Sequence, residues 1–186
     1  MSSLDVFLRY FAEYVLSKGA IPQVSDSPAM GNFQKILQES GLKDVLRGMP
    51  VVCKEFREPC SVDIGAPFGA VDLAQDAVEA ELIINLPKLK THQQMLLTLG
   101  VKNMFGCVVG LRKSEWHLRM GANRAMFARL LVLICERLKP AFTIIDGILA
   151  MEGEGPGKRG KPRQLGVLIA GDDALAVDAV VCRMLG

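Results

Sequence analysis

The stretch NRAMFARLLVLICERLKPAFTIID, residues 123–146, decides the fold class, because it predicts a helix that leads directly into a buried strand. The helix runs from Asn123 to Lys139, is apolar on most of its circumference and ends before Pro140. Phe142–Ile145 follows as a short aromatic and β-branched run that is typical of a strand. A helix of this kind packs against a sheet on one side and against more protein on the other. We therefore expect it at the centre of the fold.

The alternation of helices and strands continues on both sides of this stretch. Towards the N-terminus the patterns predict helices at 5–18, about 31–39, about 42–48 and Asp72–Glu81, and strands at Val51–Phe56, Ser61–Ile64 and Leu82–Leu86. Towards the C-terminus they predict a strand at Leu165–Ala170 and a helix at Ala174–Leu185. Strands that alternate with helices predict an α/β fold, with a mostly parallel sheet flanked by helices in three layers. We expect residues 1–186 to form a single α/β domain.

The composition is that of a globular chain, and it excludes a disordered protein: 50% of the 186 residues are hydrophobic and 23% are charged. The longest unbroken apolar stretch, Leu130–Cys135, has six residues, whereas a bilayer span needs roughly 18. The N-terminal segment also lacks the apolar run of a signal peptide. We therefore expect a soluble, cytoplasmic protein without a membrane partner.

The cysteines predict neither a disulfide framework nor a metal cage. The chain has five of them, Cys53, Cys60, Cys107, Cys135 and Cys182. The number is odd, and no two stand in a C-x-x-C pair, so no local zinc or iron–sulfur site is indicated. We expect buried, reduced thiols and no iron–sulfur cluster within this chain.

Positive charge is concentrated in residues 85–120, a segment that we call the basic block. It holds six Lys or Arg residues against one Glu, and it begins at the end of a predicted strand, where α/β folds bind ligands. If the chain stays extended beyond Pro87, a period of two puts Lys88, Lys90 and His92 on one face at intervals of about 7 Å. Such crowding of charge favours an anionic ligand, and a solvated strand end is the alternative interpretation.

The second half of the basic block contains a glycine-rich turn and a second histidine. The segment Gly100–Gly106 places Lys102 and Asn103 between glycines, and Lys113 and His117 follow. Glycines let the backbone turn sharply or approach a ligand closely, so the segment is either a structural turn or a binding loop.

His92 and His117 are the two histidines of the chain, and either would transfer protons at a site of this kind. Carboxylates that follow the later strands, Asp146, Glu152 and Asp172, are available as partners. Two histidines and one carboxylate form a metal site in some proteins. The histidines lie 25 residues apart, without a tight ligand spacing, so anion binding or proton transfer is the preferred interpretation.

The glycine- and proline-rich stretch Gly153–Arg163 is a predicted loop. It contains a near match to the phosphate-binding P-loop, with Gly155, Gly160 and Lys161 in place, but Pro162 stands where Ser or Thr must bind magnesium. A P-loop also joins a strand to a helix, whereas this stretch leads into a strand, which argues against an ATPase of that type. We expect a flexible lid over the anion, or else a solvated surface loop.

Several of these segments occur in an order that is found in one known family. They are GAIPQVSDSP at 19–28, INLPKLKTH at 84–92, GVKNMFG at 100–106, Lys113 with His117, IDG at 145–147, MEGEGP at 151–156, and Asp173 with VDA at 177–179. Together they resemble the family known as domain of unknown function 362, over nearly the whole chain. The ordered set is much more specific than any one of its members.

The resemblance implies an α/β domain whose biochemical activity is unassigned. Many members of the family carry a ferredoxin-like module with two four-iron clusters, so the resemblance implies an iron–sulfur module or protein as a partner. This chain lacks the cysteine runs of that module, starts on the first helix and stops after Gly186. We expect a compact or truncated member of the family.

Together these observations predict a domain that binds an anionic small molecule at the strand carboxyl ends, with acid/base, metal-assisted or redox-linked chemistry. The predicted anion-binding residues are Lys88, Lys90, Lys102, Asn103, Lys113 and Gly155. His92 or His117 would transfer protons, and Asp146 and Glu152 would act as acid/base or metal-facing carboxylates.

A docking module is the alternative from another functional class. The same basic block would then bind the acidic surface of an iron–sulfur electron-transfer partner without catalysis. Nucleic-acid binding is not expected, because the net charge is only +2 and the aromatic residues fall mainly in apolar helical patterns.

Overall fold

The computed structural model describes residues 3–28, 31–157 and 159–186. The helices are α1 (Ser3–Ser17), α2 (Phe33–Glu39), α3 (Leu42–Val45), α4 (Gln75–Val78), α5 (Gly100–Met104), α6 (Arg112–Met120), α7 (Arg124–Leu138) and α8 (Ala174–Leu185). The strands are β1 (Gln23–Asp26), β2 (Val52–Glu55), β3 (Pro59–Asp63), β4 (Ala70–Ala74), β5 (Ile84–Asn85), β6 (Lys88–His92), β7 (Leu96–Thr98), β8 (Phe142–Gly153) and β9 (Gly160–Gly171). A 3₁₀ turn, Phe105–Cys107, continues α5.

The main sheet is built around β8. One edge of β8 pairs in parallel with β5 and then with β6, and its other edge pairs antiparallel with β9. β7 extends the sheet beyond β6 in the antiparallel direction. Elsewhere in the described ranges, β1 pairs in parallel with β2, and β3 pairs antiparallel with β4. The α/β class is therefore confirmed, but the sheets are small and mixed, and the mostly parallel, three-layer arrangement is not confirmed.

Helix α7 lies in the larger core, as the sequence predicts. Its residues Phe127, Leu130 and Ile134 are fully buried, and they belong to the same apolar cluster as Leu73 of β4. Asn123 caps the helix, because its side-chain oxygen accepts a hydrogen bond from the Met126 N–H at 3.0 Å. A smaller cluster joins β6 and β8 to α8 through Leu89, Leu99, Ile145, Ala150, Val177 and Val181.

The predicted helix Asp72–Glu81 is wrong in its first half. Residues 70–74 form β4, and only Gln75–Val78 is helical. Val71 and Leu73 are both buried, whereas Asp72 between them is not. This alternation fits a strand, and pairing with β3 overrides the helical tendency of the segment.

The predicted strand Leu82–Leu86 is shorter than expected and is followed by a second strand. β5 contains only Ile84–Asn85, and β6 begins directly after Pro87. Proline has no N–H to donate, so the ladder is interrupted at this residue and then resumes. The chain stays extended beyond Pro87, because residues 88–92 form β6.

The predicted loop Gly153–Arg163 is largely a β-hairpin. β8 and β9 continue into this segment, and Glu152 lies opposite Lys161 in their antiparallel register. Lys158 lies outside the described residues. The segment that was expected to form either a lid or a surface loop is therefore the tip of a β-hairpin.

Helix α5 is fixed in place by a carboxylate from α8. The two oxygens of Asp178 accept hydrogen bonds from the N–H groups of Gly100 (2.7 Å) and Val101 (3.0 Å). A Cβ atom on Gly100 would lie 2.8 Å from Cγ2 of Thr143, so the helix start can approach β8 this closely only with glycine. Burial raises the pKa of Asp178 to about 6, although both N–H donors act in the opposite direction. The start of α5, and with it Lys102, therefore depends on a desolvated carboxylate.

We expect Asp178→Asn to reduce the free energy of unfolding by an amount that depends on pH. Because the folded-state pKa of Asp178 is raised, its contribution to stability is greatest below the unfolded-state value and falls as pH rises through about 6. The deficit of the variant should therefore be larger at pH 4 than at pH 6.5, by about 2 kcal/mol. Urea unfolding measures it, with the exposed Asp172→Asn as the control. Equal deficits at both pH values would contradict the assignment.

Candidate functional site

The structure brings the histidines and several lysines of the basic block to one region at the end of β6. Lys88, Lys90 and His92 occupy alternate positions of β6, and Leu89 between them points into the smaller core. The His92 ring faces that of His117 on α6, with ring centroids 5.9 Å apart and planes inclined by 12°. The predicted cationic face of the extended chain therefore forms, and α6 supplies its second histidine.

Lys88 and Asp146 form a largely buried ion pair between neighbouring strands. The Lys88 Nζ donates to an Asp146 Oδ at 2.7 Å, and the two side chains are 17% and 2% exposed. The other Asp146 oxygen accepts from the Ile148 N–H at 3.0 Å. Asp146 does not follow the end of its strand, as the sequence suggested, but lies within β8. Its carboxylate thus holds Lys88 in place.

Both imidazoles of the histidine pair are held in the neutral form by their surroundings. Burial, together with the positive charge of Lys102, lowers the pKa of His92 and of His117 to about 4. His92 Nδ1 accepts hydrogen bonds from the N–H groups of Gln94 and Met95, each at 3.2 Å. The two rings therefore supply uncharged donor and acceptor groups at neutral pH.

Lys102 lies on an aromatic surface beside the histidines. Its Nζ is 4.9 Å from the ring centroid of Phe105 and 5.5 Å from that of Phe127. The same two rings contact His117 edge-on, at centroid distances of 5.5 and 4.7 Å. Burial and the nearby charge of Lys113 lower the pKa of Lys102 to about 8. Aromatic faces stabilise a cation but do not neutralise it, so the ammonium retains its attraction for an anion.

Lys113 is directed towards the turn that follows β1. Its Nζ donates to the Ser27 carbonyl oxygen and lies 3.6 Å from Oδ1 of Asp26. The Ser27 hydroxyl in turn accepts from the Gly110 N–H at 2.8 Å. Burial lowers the pKa of Lys113, and Asp26 acts in the opposite direction. Lys113 thus ties α6 to the Asp-Ser-Pro turn. It lies close enough to Lys102 for its charge to lower the pKa of that residue.

The remaining predicted site residues lie at the border of this region. Asn103 donates from Nδ2 to the Asn85 side-chain oxygen at 2.8 Å, which ties α5 to β5. Glu152 lies on the exposed hairpin, where its carboxylate is 3.4 Å from the Arg163 guanidinium. Gly155 is buried against β6, and a Cβ atom there would lie 2.4 Å from the Thr91 carbonyl oxygen. The hairpin tip therefore packs beside Lys90 and His92 without bringing the Glu152 carboxylate into contact with them.

Metal-binding geometry is not found in the part of the chain that the structure describes. No group of three or more His, Cys, Asp or Glu side chains there is arranged to hold a metal ion. Burial also raises the pKa of Cys107 and of Cys135 to about 12, so both are protonated thiols at neutral pH.

Two polar residues of the site were missed by sequence reasoning. Gln94 contacts both histidines, through its backbone to His92 and through its side chain to His117. Asp26 lies near Lys113 and would be only 3.1 Å from a Cβ atom on Gly106. The Asp-Ser-Pro turn was a visible signal for Asp26, since it belongs to the segment that resembles the family. Gln94 gave no signal, because an amide beside a histidine is unremarkable in sequence.

The fold is similar to that of a solved enzyme structure. The lactate racemase apoprotein of Thermoanaerobacterium thermosaccharolyticum superposes with a TM-score of 0.66 over 97% of this chain and 46% of its own length, at 15% sequence identity. At this identity the likeness concerns the fold alone. The chain therefore has a mixed α/β fold that is similar to the fold of the lactate racemase apoprotein.

Sequence comparison then gives the family. Residues 5–183 match the family described as Domain of unknown function (DUF362), and the chain belongs to that family. It is 37% identical over 174 residues to the thylakoid-associated protein sll1697 of Synechocystis sp., which covers 94% of this chain and 54% of that protein. The chain thus spans about half the length of this relative, and about half the length of the lactate racemase apoprotein whose fold it resembles. The expected family membership is confirmed.

The cellular location of the protein is a separate question from its family. None of the helices in the described ranges has the length and apolar character that a bilayer crossing requires. The relative from Synechocystis is thylakoid-associated by name, so the cytoplasmic location stays a prediction.

We expect Asp146→Asn to destabilise the protein by about 3 kcal/mol, because it removes the charge that Lys88 faces at 2.7 Å in a largely buried position. Lys88→Met together with Asp146→Asn should recover a large part of this loss, since the buried ammonium is then absent as well. Urea unfolding of the single and double variants measures the coupling. Simple additivity of the two substitutions would contradict a buried ion pair.

We expect the histidine ring protons to titrate near pH 4 in NMR spectra, well below the ordinary value of 6.5. Lys102→Met should raise both pKa values, because the lysine charge opposes protonation of each ring. The exposed Lys43→Met is the matched control. Because the unfolded chain binds more protons between pH 4 and 6.5, the stability that the neutral rings provide is lost as pH falls through this range. Titration of either ring near pH 6.5 in the folded wild type would overturn the assignment.

Proposed function

We propose that this domain binds an anionic small molecule in the region lined by Lys88, Lys90, Lys102 and the two histidines, and that the histidines exchange a proton with it. The observation that carries the proposal is an excess of partly buried positive charge. Two of the nearby carboxylates are already engaged, Asp146 with Lys88 and Asp26 near Lys113.

Lys90 and Lys102 provide the cations for the ligand. Among the described residues, no carboxylate oxygen lies within 4.0 Å of either ammonium. Burial lowers the pKa of both lysines. The charge of Lys88 adds to this effect at Lys90, where Asp26 acts in the opposite direction, and the charge of Lys113 adds to it at Lys102. A bound anion would relieve this cost, because it supplies a counter-charge in contact with the two ammonium groups.

The neutral histidines suit proton exchange beside these cations. An imidazole at neutral pH can accept a proton at one nitrogen and donate from the other. Lys102 disfavours a lasting imidazolium, so a proton gained by one ring is readily passed on. Phosphate and carboxylate groups are both anions that lysine ammonium groups bind, and either fits the proposed site.

Burial of the cations favours a small ligand over the docking alternative. Docking by long-range attraction needs charges on an open surface, whereas Lys90 and Lys102 are partly buried and Lys102 lies against two aromatic rings. The racemase likeness is compatible with a small anionic substrate, but at 15% identity it supports only the fold. Carboxylate chemistry by Glu152 remains a separate prediction of the sequence.

The test is ligand-dependent thermal stabilisation at constant ionic strength. Phosphate, pyrophosphate and small mono- and dicarboxylates are titrated, and a ligand at 100 times its dissociation constant should stabilise the fold by about 2.7 kcal/mol. Lys90→Met and Lys102→Met retain the aliphatic bulk and should abolish the shift. Lys43→Met, on the exposed side of α3, should retain it. Absence of stabilisation by every anion, or an equal shift in Lys102→Met, would overturn the proposal.

A further inference from the structure

Gln94 lies in the turn between β6 and β7 and makes hydrogen bonds to both histidines. Its backbone N–H donates to His92 Nδ1 at 3.2 Å, and the Met95 N–H donates to the same atom. A nitrogen that accepts hydrogen bonds carries no proton. In the neutral His92 ring the proton therefore resides on Nε2.

The side chain of Gln94 imposes the opposite arrangement on His117. Its Nε2 donates to the Gly121 carbonyl oxygen at 2.7 Å. Since a carbonyl oxygen can only accept, this bond fixes the orientation of the amide, and Oε1 faces His117 Nδ1 at 2.6 Å. An amide oxygen also only accepts, so His117 Nδ1 carries the proton and its Nε2 has a free lone pair.

We infer that Gln94 is a positioning residue that holds His92 and His117 in opposite tautomers, so that the site presents one hydrogen-bond donor, His92 Nε2–H, and one basic lone pair, His117 Nε2. The inference deepens the proposed function, because it assigns different roles to the two rings at the same site. His92 would donate a hydrogen bond to a bound ligand and keep its proton. His117 would take a proton from the ligand, become an imidazolium, and return the proton to the ligand.

The groups around His92 and His117 agree with these two roles. Within the described residues no hydrogen bond joins the two rings to each other or engages either Nε2 atom, and both histidines are partly exposed. The charged group that acts on both rings is Lys102 of α5, while Phe105 and the α7 residue Phe127 present apolar faces to His117. Because both rings are neutral, they place no second positive charge beside Lys102 while a ligand binds.

The tautomers can be read directly from histidine ¹⁵N chemical shifts at pH 7, without any ligand. The chain has only two histidines, and His92→Gln assigns their signals. In the wild type we expect a protonated Nε2 on His92 and a protonated Nδ1 on His117. The same tautomer on both rings would overturn the inference.

Substitution of Gln94 then tests its role. Gln94→Ala should move His117 away from the Nδ1-protonated form, whereas His92 keeps its tautomer because the backbone N–H of residue 94 remains. Gln94→Glu should keep Nδ1 protonated and raise the pKa of His117 from about 4, since a carboxylate stabilises the imidazolium. Gln93→Ala, an exposed neighbour, is the matched control and should change neither ring.

These results are independent of whether an anion binds. A His117 tautomer and pKa that are the same in the wild type, Gln94→Ala and Gln94→Glu would overturn the positioning role, even if phosphate stabilises the protein. Conversely, the expected tautomers without any anion-dependent stabilisation would support the role of Gln94 and contradict the proposed ligand. If Gln94→Ala does not fold, the pKa of His117 in Gln94→Glu decides the question.

Discussion

The ion pair between Lys88 and Asp146 is the interaction on which the rest of the site depends. It forms where Pro87 interrupts the ladder and where the Asp146 N–H donates to the Pro87 carbonyl oxygen at 2.9 Å. Pairing at this point sets the register of β6 on β8. Because side chains alternate along a strand, a slip of one residue would turn Lys90 and His92 into the core and Leu89 out of it. A buried ion pair adds little net stability, but a wrong register leaves two charges unpaired.

Burial determines the charge states of Lys102 and His117. Lys102 lies on Phe105 and Phe127, and those rings also enclose His117. Apolar walls strengthen the repulsion between a fixed ammonium and a protonated imidazole, because little water is present to screen it. The result is a division between lysine side chains that are cationic at neutral pH and imidazole rings that are neutral. An open surface with the same residues would not separate these two roles, since water would return each histidine towards its ordinary pKa.

Local signals predicted helices α7 and α8, whereas the strand pairings required the structure. The apolar pattern of α7 and the Asp173 cap of α8 are local, and both helices form where they were expected. The β8–β9 hairpin was interpreted as a loop because its glycines and prolines are turn residues, and nothing local shows that the two strands pair across it. The cationic face of β6 was predictable from its period of two. Gln94 was not, because its role exists only once β6 and α6 lie side by side.

The comparisons show the family and a similar fold. A hypothesis about ligand binding or proton transfer has to be argued from the side chains of this chain. A likeness at 15% identity places strands and helices, but it does not carry a substrate from one protein to another. A relative named for its association with thylakoids likewise describes that protein's location. The proposal for this chain therefore rests on three contacts of its side chains: a buried ion pair, an ammonium on aromatic rings, and two imidazoles joined through Gln94. Cations beside neutral imidazoles are the groups that proton exchange with a bound anion would require, and the proposed experiments test whether they act in this way.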